Sequence, residues 1–183
     1  MTTIASVDAL FAVLAEGGKE TYFGEPVTVL EHSLQSAWFA GRKGGSPALV
    51  TAALLHDLEH LLHSEGEDAA QRGLDTRHEE LAFEALNAHL PGAVLTPIRM
   101  HVVAKRYLCT TNPQYLAQLS SASMESLALQ GGLMSAVETE AFAANPHAQD
   151  AIALRHADDA AKVKGLKVPE LEAYRELVEG LWR

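Results

Sequence analysis

Apolar residues recur along this chain at intervals of three and four, and the runs that carry the spacing are separated by glycine, proline and capping residues. Leu10, Val13 and Leu14 mark a helix over 6–16 that stops at Gly17-Gly18, and a polar loop over 19–27 follows. Thr28 and Glu31 stand at capping-box spacing and start a second helix, which runs to about Gly41. Ser46-Pro47 is an N-cap followed by proline at the first helical position. It starts a third helix through the apolar run from Ala52 to Leu62, which contains His56 and Asp57 and fades into the polar stretch 63–73. Asp75 or Thr76 caps the next helix, with Thr76 and Glu79 at capping-box spacing, and it ends before Pro91-Gly92. Thr96-Pro97 starts the next, which carries His101 and Lys105 to about Thr111, and Asn112-Pro113 starts another. Shorter helices are expected over 123–130 and 133–143 on either side of Gly131-Gly132. Asn145-Pro146 opens a helix with Arg155, Asp158 and Asp159, and residues 169–182 read as a closing amphipathic helix. No period-2 run of strand length and no internal repeat interrupts the pattern, so the expected architecture is an all-α bundle.

Composition narrows the function classes. A chain of 183 residues with 48% hydrophobic positions suits a single domain over 1–183. Twenty-four acidic against fourteen basic residues give a formal charge of -10 with no basic stripe, which argues against nucleic acid but leaves room for a small anion where a few basic side chains converge. Cys109 is the single cysteine, so an internal disulfide is excluded and a reducing compartment is expected. No apolar run approaches the ~18 residues of a membrane span, and the first residues lack a secretory pattern. A cytoplasmic location is therefore expected, and the oligomeric state stays open.

The adjacent pair His56-Asp57 changes the picture, because an unpaired carboxylate inside an apolar run is costly to bury. A metal ion compensates it well, since imidazole nitrogen and carboxylate oxygen are both good ligands for iron, manganese or zinc. The other candidates are His32, His78, His101 and an aspartate at 158 or 159, each on a separate expected helix. This set exceeds what one tetrahedral ion needs, so two ions sharing Asp57 is the economical arrangement. His32, His56, Asp57 and the late aspartate would hold one, and Asp57, His78 and His101 the other, with positions left open for a ligand. His63, His89, His147 and His156 sit in polar or terminal settings and read as surface residues.

In this order the residues resemble the HD-domain superfamily: a histidine, an adjacent His-Asp pair and a distant aspartate, all on helices. The additional His78 and His101 are similar to the diiron branch that includes myo-inositol oxygenase. Within that branch the nearest likeness is to the oxygenases that cleave the carbon-phosphorus bond of 1-hydroxy-2-aminoethylphosphonates. It extends from about Tyr22 to Lys162 through Tyr22-Phe23-Gly24-Glu25-Pro26-Val27, Glu31-His32 with Gln35, Leu55-His56-Asp57 with His60, and Arg77-His78-Glu79. The later blocks are His101 with Lys105 to Cys109, Ser121 to Met124, Leu127 to Gly132, and Arg155 to Lys162.

The resemblance implies an HD-domain helical bundle holding two iron ions in a mixed-valent Fe(II)/Fe(III) state, bridged by Asp57, with Asp158 rather than Asp159 as the last ligand. It implies an organophosphonate and O2 as small-molecule partners, with phosphate and glycine, or an N-methylated glycine, as products. Tyr22 and Glu25 would form a loop that closes the iron site when empty and meets the substrate amine when it is filled. Lys105, Ser123 and Arg155 would bind the phosphonate, and His60 would contact substrate or order a ligand.

Each of these substrate residues has a plainer role open to it. Lys105 as a solvated cation, Ser123 as a helix cap, Arg155 with Asp159 as a surface ion pair and Glu25 as a loop carboxylate all fit the residue pattern. Whether the amine is free or methylated stays open. The alternative activity is a dinuclear HD phosphohydrolase acting on a small phosphate ester, and a third reading is a non-catalytic metal-dependent interaction module.

Overall fold

Hydroxyl caps start the first helices where the sequence places them. Ser6 accepts from the Ala9 N–H ahead of α1 (Val7–Gly17), Thr28 and Glu31 complete a reciprocal capping box ahead of α2 (Val29–Arg42), and Ser46 accepts from the Leu49 N–H ahead of α3 (Pro47–Leu55). The computed structural model describes residues 4–22, 24–62 and 78–183, with the backbone alone at His78. The chain continues through α4 (Glu59–Leu62), α5 (His78–Leu86), α6 (Gly92–Thr111), α7 (Pro113–Gln118), α8 (Ser121–Leu129), α9 (Ala136–Ala143), α10 (Ala148–Ala160) and α11 (Arg175–Glu179). The architecture is an all-α bundle, with one isolated antiparallel bridge, Thr21 to Thr28, among the described residues.

α3 is apolar on every side, and a helix of that kind belongs in the middle of a bundle. Every residue from Leu49 to Leu55 is buried, and α2, α6 and α10 pack around this helix. Ala37, Ala40, Ala52, Ala53 and Ala157 lie in the same core as Leu10, Leu14, Leu54, Ile98 and Leu154, so small side chains let the central helices approach closely.

Six expectations differ from the structure. The third helix does not run through His56 and Asp57: it ends at Leu55, and bonds from the Leu58 N–H to the Leu55 carbonyl and from the His60 N–H to the Asp57 carbonyl make a tight turn before α4. The Ala53 carbonyl, which the Asp57 N–H would take in a continuing helix, accepts the His56 Nδ1–H at 2.9 Å instead. α6 begins at Gly92 with Pro91 as its cap, and Pro97 lies inside it. The single missing N–H there is offset by burial of Val94, Leu95 and Ile98. α8 starts at Ser121 because Ser120 is the cap, and α9 starts at Ala136 because Ser135 and Glu138 form a capping box. α10 starts at Ala148, three residues after Asn145. The last segment is a 3-10 turn, Leu171–Tyr174, followed by the short α11, which docks Tyr174 and Val178 into the core. The expected cap at Asp75 or Thr76 lies outside the described residues.

Candidate metal centre

The four central helices each bring polar groups to one buried point. His32 projects from α2, His56 and Asp57 from the turn after α3, His101 from α6 and Asp158 from α10, and none is more than 3% exposed. His32 Nε2 lies 3.3 Å from His56 Nε2, 3.5 Å from Asp57 Oδ2 and 3.5 Å from Asp158 Oδ1. His56 Nε2 lies 3.3 Å from Asp57 Oδ2 and 3.9 Å from Asp158 Oδ2. Asp57 also faces the other way: its Oδ1 is 3.9 Å from both His101 Nε2 and His60 Nε2. One carboxylate thus joins two clusters of imidazole nitrogens. The side chain of His78, expected in the second cluster, lies outside the described residues.

Three of these rings are oriented alike. His32 Nδ1 donates to the Ala161 carbonyl at 2.9 Å, His56 Nδ1 to the Ala53 carbonyl at 2.9 Å and His101 Nδ1 to the Ile98 carbonyl at 2.6 Å. A carbonyl only accepts, so the proton sits on Nδ1 and the Nε2 lone pair turns to the shared centre, as in metal-ligating histidines. Burial lowers His32 and His101 to about 4, which keeps both rings neutral and ready to ligate. Burial also opposes a charge on His56, but Asp57 and Asp158 outweigh it and raise the ring to about 9, a pull from two carboxylates that favours positive charge at this point. The donor set of neutral imidazoles and buried carboxylates fits a transition-metal ion.

Partners outside the cluster fix its members. The Tyr22 phenol donates to Asp57 Oδ2 at 2.7 Å, and its ring stacks on His32 at 3.8 Å between centroids. The hairpin-like turn that delivers Tyr22 is closed by a bond from the Glu25 N–H to the Tyr22 carbonyl, and Gly24 holds φ 72° there, a value glycine adopts without strain. Arg155 Nη1 binds Asp158 Oδ2 at 2.8 Å, while Nη2 pairs with Asp159 Oδ1 and Nε points to the Tyr115 phenol oxygen at 3.1 Å. Burial alone would raise Asp158, but Arg155, with His56 and His32, holds it well below the usual carboxylate range. Asp158 and Asp159, inseparable by residue pattern, are thus distinct: the first faces the histidines, the second accepts from Tyr115 at 2.5 Å.

A cationic flank adjoins the centre. Lys105 is 2% exposed, and its Nζ donates to Ser126 Oγ at 2.9 Å. No carboxylate lies within ion-pair reach of it among the described residues. Burial, helped by the nearby Arg155, lowers it to about 7. Ser123 is buried, and Lys162 Nζ reaches its Oγ at 3.4 Å and Glu25 Oε1 at 3.2 Å.

No protein-family model matches the chain. The chain is 43% identical to a hydroxymethylphosphonate dioxygenase of Gimesia maris over 94% of its own length and 86% of the relative's. It is 38% identical to the glycine-betaine-forming [1-hydroxy-2-(trimethylamino)ethyl]phosphonate dioxygenase of Leisingera caerulea, over 94% and 88%. The chain belongs to the phosphonate dioxygenases. It is also 30% identical to an uncharacterised protein of Acanthamoeba polyphaga mimivirus over 96% of its length. Membership makes it an enzyme of the dioxygenase type and decides against the phosphohydrolase and the non-catalytic module.

For a phosphonate dioxygenase the flank removes three of the plainer roles. Lys105 is not solvated, Ser123 is not the cap of its helix, and Arg155 with Asp159 is not a surface pair. Glu25 is more than a loop carboxylate, since it pairs with Lys162 beside the centre. His89, His147 and His156, expected at the surface, are partly buried, His89 by stacking on Trp182 at 4.6 Å, and His63 lies outside the described residues. Four participants were not assigned roles from the sequence. Tyr115, Ser126 and Lys162 act on residues 21 or more positions away, which no local pattern reports. Glu59 is 1% exposed and places a carboxylate oxygen 3.1 Å from His60 Nδ1, a buried acid next to Asp57 that the apolar run could have flagged.

Proposed function

We propose that the chain is an O2-dependent diiron oxygenase that cleaves the carbon-phosphorus bond of a 1-hydroxy-2-(amino or N-methylated amino)ethylphosphonate to phosphate and glycine or an N-methylated glycine. The observation that carries this reading is Asp57, whose two oxygens face separate groups of imidazole nitrogens beside a buried lysine that pairs with no acid among the described residues. His32, His56, Asp57 and Asp158 would hold one iron, and Asp57, His101 and His78 the other. Bound there, the irons supply the site for dioxygen and the redox equivalents for oxidising C1. The atoms balance without an external reductant: 1-hydroxy-2-aminoethylphosphonic acid plus one O2 contains the atoms of glycine plus phosphoric acid.

The protein's own groups do the rest. Lys105 and Ser123 bind and orient the phosphonate oxygens, in a setting where an ammonium is worth more than in water. Arg155 acts through Asp158: each of its three nitrogens engages Asp158, Asp159 or Tyr115, and so it holds that ligand in place. Tyr22 holds a proton against Asp57 Oδ2. Glu25 faces the position of the substrate's tail. The tail itself is the variable part of the substrate, because one relative's named substrate has a single carbon and the other's ends in a trimethylamino group.

The test is phosphate release by iron-loaded protein from 1-hydroxy-2-aminoethylphosphonate with and without air. Release in air and none under strict anaerobiosis is expected, and equal release in both would sink the proposal. A second prediction concerns Lys105→Met, which should raise KM for the phosphonate by roughly 10- to 100-fold through loss of one buried charge-assisted contact. Steady-state kinetics check it, and an unchanged KM would remove Lys105 from the binding role.

A further inference from the structure

Lys162 has no part in the chemistry above, yet the backbone that carries it is fixed on both sides. The residues on either side of it are tied to α2. The Ala161 carbonyl accepts from His32 Nδ1 at 2.9 Å, and both backbone groups of Val163 pair with the Gln35 amide, at 2.9 and 3.0 Å. Three hydrogen bonds therefore fix the backbone from which Lys162 reaches Glu25 and Ser123. Its Nζ stands 3.2 Å from Glu25 Oε1, and the two side chains are 17% and 16% exposed. The contact lacks hydrogen-bond alignment, and Glu25 Oε1 is a buried atom with no hydrogen-bond donor among the described residues. Glu25 is thus balanced in charge but unsatisfied as an acceptor, a state that a ligand N–H can complete.

We propose that Lys162 sets the tail charge that the site accepts: by neutralising Glu25 it admits hydroxyphosphonates that carry no amine, and it makes a cationic tail compete for the same carboxylate. The inference rests on the phosphonate reading above and concerns selectivity within it. With Lys162 in place, an uncharged tail leaves Glu25 paired. A cationic tail gains Glu25 but meets a second positive charge a few ångströms away, and the two costs nearly offset. Without the lysine, Glu25 is an uncompensated acid, which favours a cation and penalises its absence.

The experiment compares hydroxymethylphosphonate with 1-hydroxy-2-aminoethylphosphonate as substrates of the iron-loaded enzyme in air, and as ligands by anaerobic calorimetry. Lys162→Met should raise the preference for the aminoethyl compound, in kcat/KM and in Kd, by about 10-fold over the parent enzyme, a value reduced for partial solvent screening. Lys162→Arg should leave the preference within about 3-fold of the parent, because charge is retained. Glu25→Gln should shift it the other way, and it gives an independent reading if Lys162→Met does not fold. Equal losses for both compounds in Lys162→Met would make Lys162 a phosphonate ligand through Ser123 and overturn the proposal, as would an unchanged preference. If the parent enzyme neither binds nor turns over either compound, the phosphonate reading itself fails.

Discussion

Asp57→Asn is expected to cut phosphate release by roughly 10³-fold, beyond the ~10- to 100-fold typical of losing an outer partner of a metal ligand. The reason lies in the two directions the carboxylate faces. Oδ2 meets His32, His56 and Tyr22, and Oδ1 meets His60 and His101, so one side chain serves both halves of the centre. Asparagine keeps the shape but turns one oxygen into a donor and removes the charge that would balance a cation. Iron content should fall from about two ions per chain to one or fewer, on the proposed two-metal arrangement. Circular dichroism should find the helices intact, since the change removes a buried charge without leaving a cavity. Asp159→Asn is the matched comparison: its carboxylate touches Arg155 and Tyr115 rather than the histidines, so the loss should stay within ~100-fold and iron should be retained. Metal analysis of the two variants decides the matter. Full iron content in Asp57→Asn would mean that the ion sits elsewhere.

The bundle was legible because helices announce their starts and stops chemically. The Thr28–Glu31 capping box forms with both of its bonds, and Ser46 and Asn112 cap their helices as expected. The break at Leu55 was not legible, since a regular period carries no information about an imidazole that captures a backbone carbonyl one turn back. The same break aims His56 and Asp57 at one centre, so the departure from regularity coincides with the chemistry. His32, His101 and Lys105 stood out because polar groups on the apolar faces of helices need partners. Asp158 and Asp159 could not be told apart, because adjacent positions near a helix end share composition and differ only in direction, by about 100°. Tyr115 and Lys162 were given no role because their partners are 44 and 137 positions distant, and no period spans such separations.

Arg155→Met is expected to destabilise the fold by about 3–5 kcal/mol, the usual cost of removing one partner from a buried ion pair. At roughly 2–4 °C per kcal/mol for a chain of this size, the melting temperature should fall by about 10 °C. Arg155 is 5% exposed and pairs with both Asp158 and Asp159. Without it, Asp158 is left among His32, His56 and Asp57, and Asp159 is left against the Tyr115 phenol, each without its guanidinium. Methionine fills much of the vacated space, so the loss reports charge rather than volume. That distinction can be measured with a second substitution. Asp159→Asn placed in the Arg155→Met chain removes one of the stranded charges and should recover part of the lost stability, whereas the same change in the parent chain breaks a good pair and should cost stability. Opposite signs in the two backgrounds are the expected thermal-melt result. A loss from Arg155→Met below about 1 kcal/mol would instead place the pair in the range of solvated surface bridges and deny it any part in holding Asp158 against the histidines.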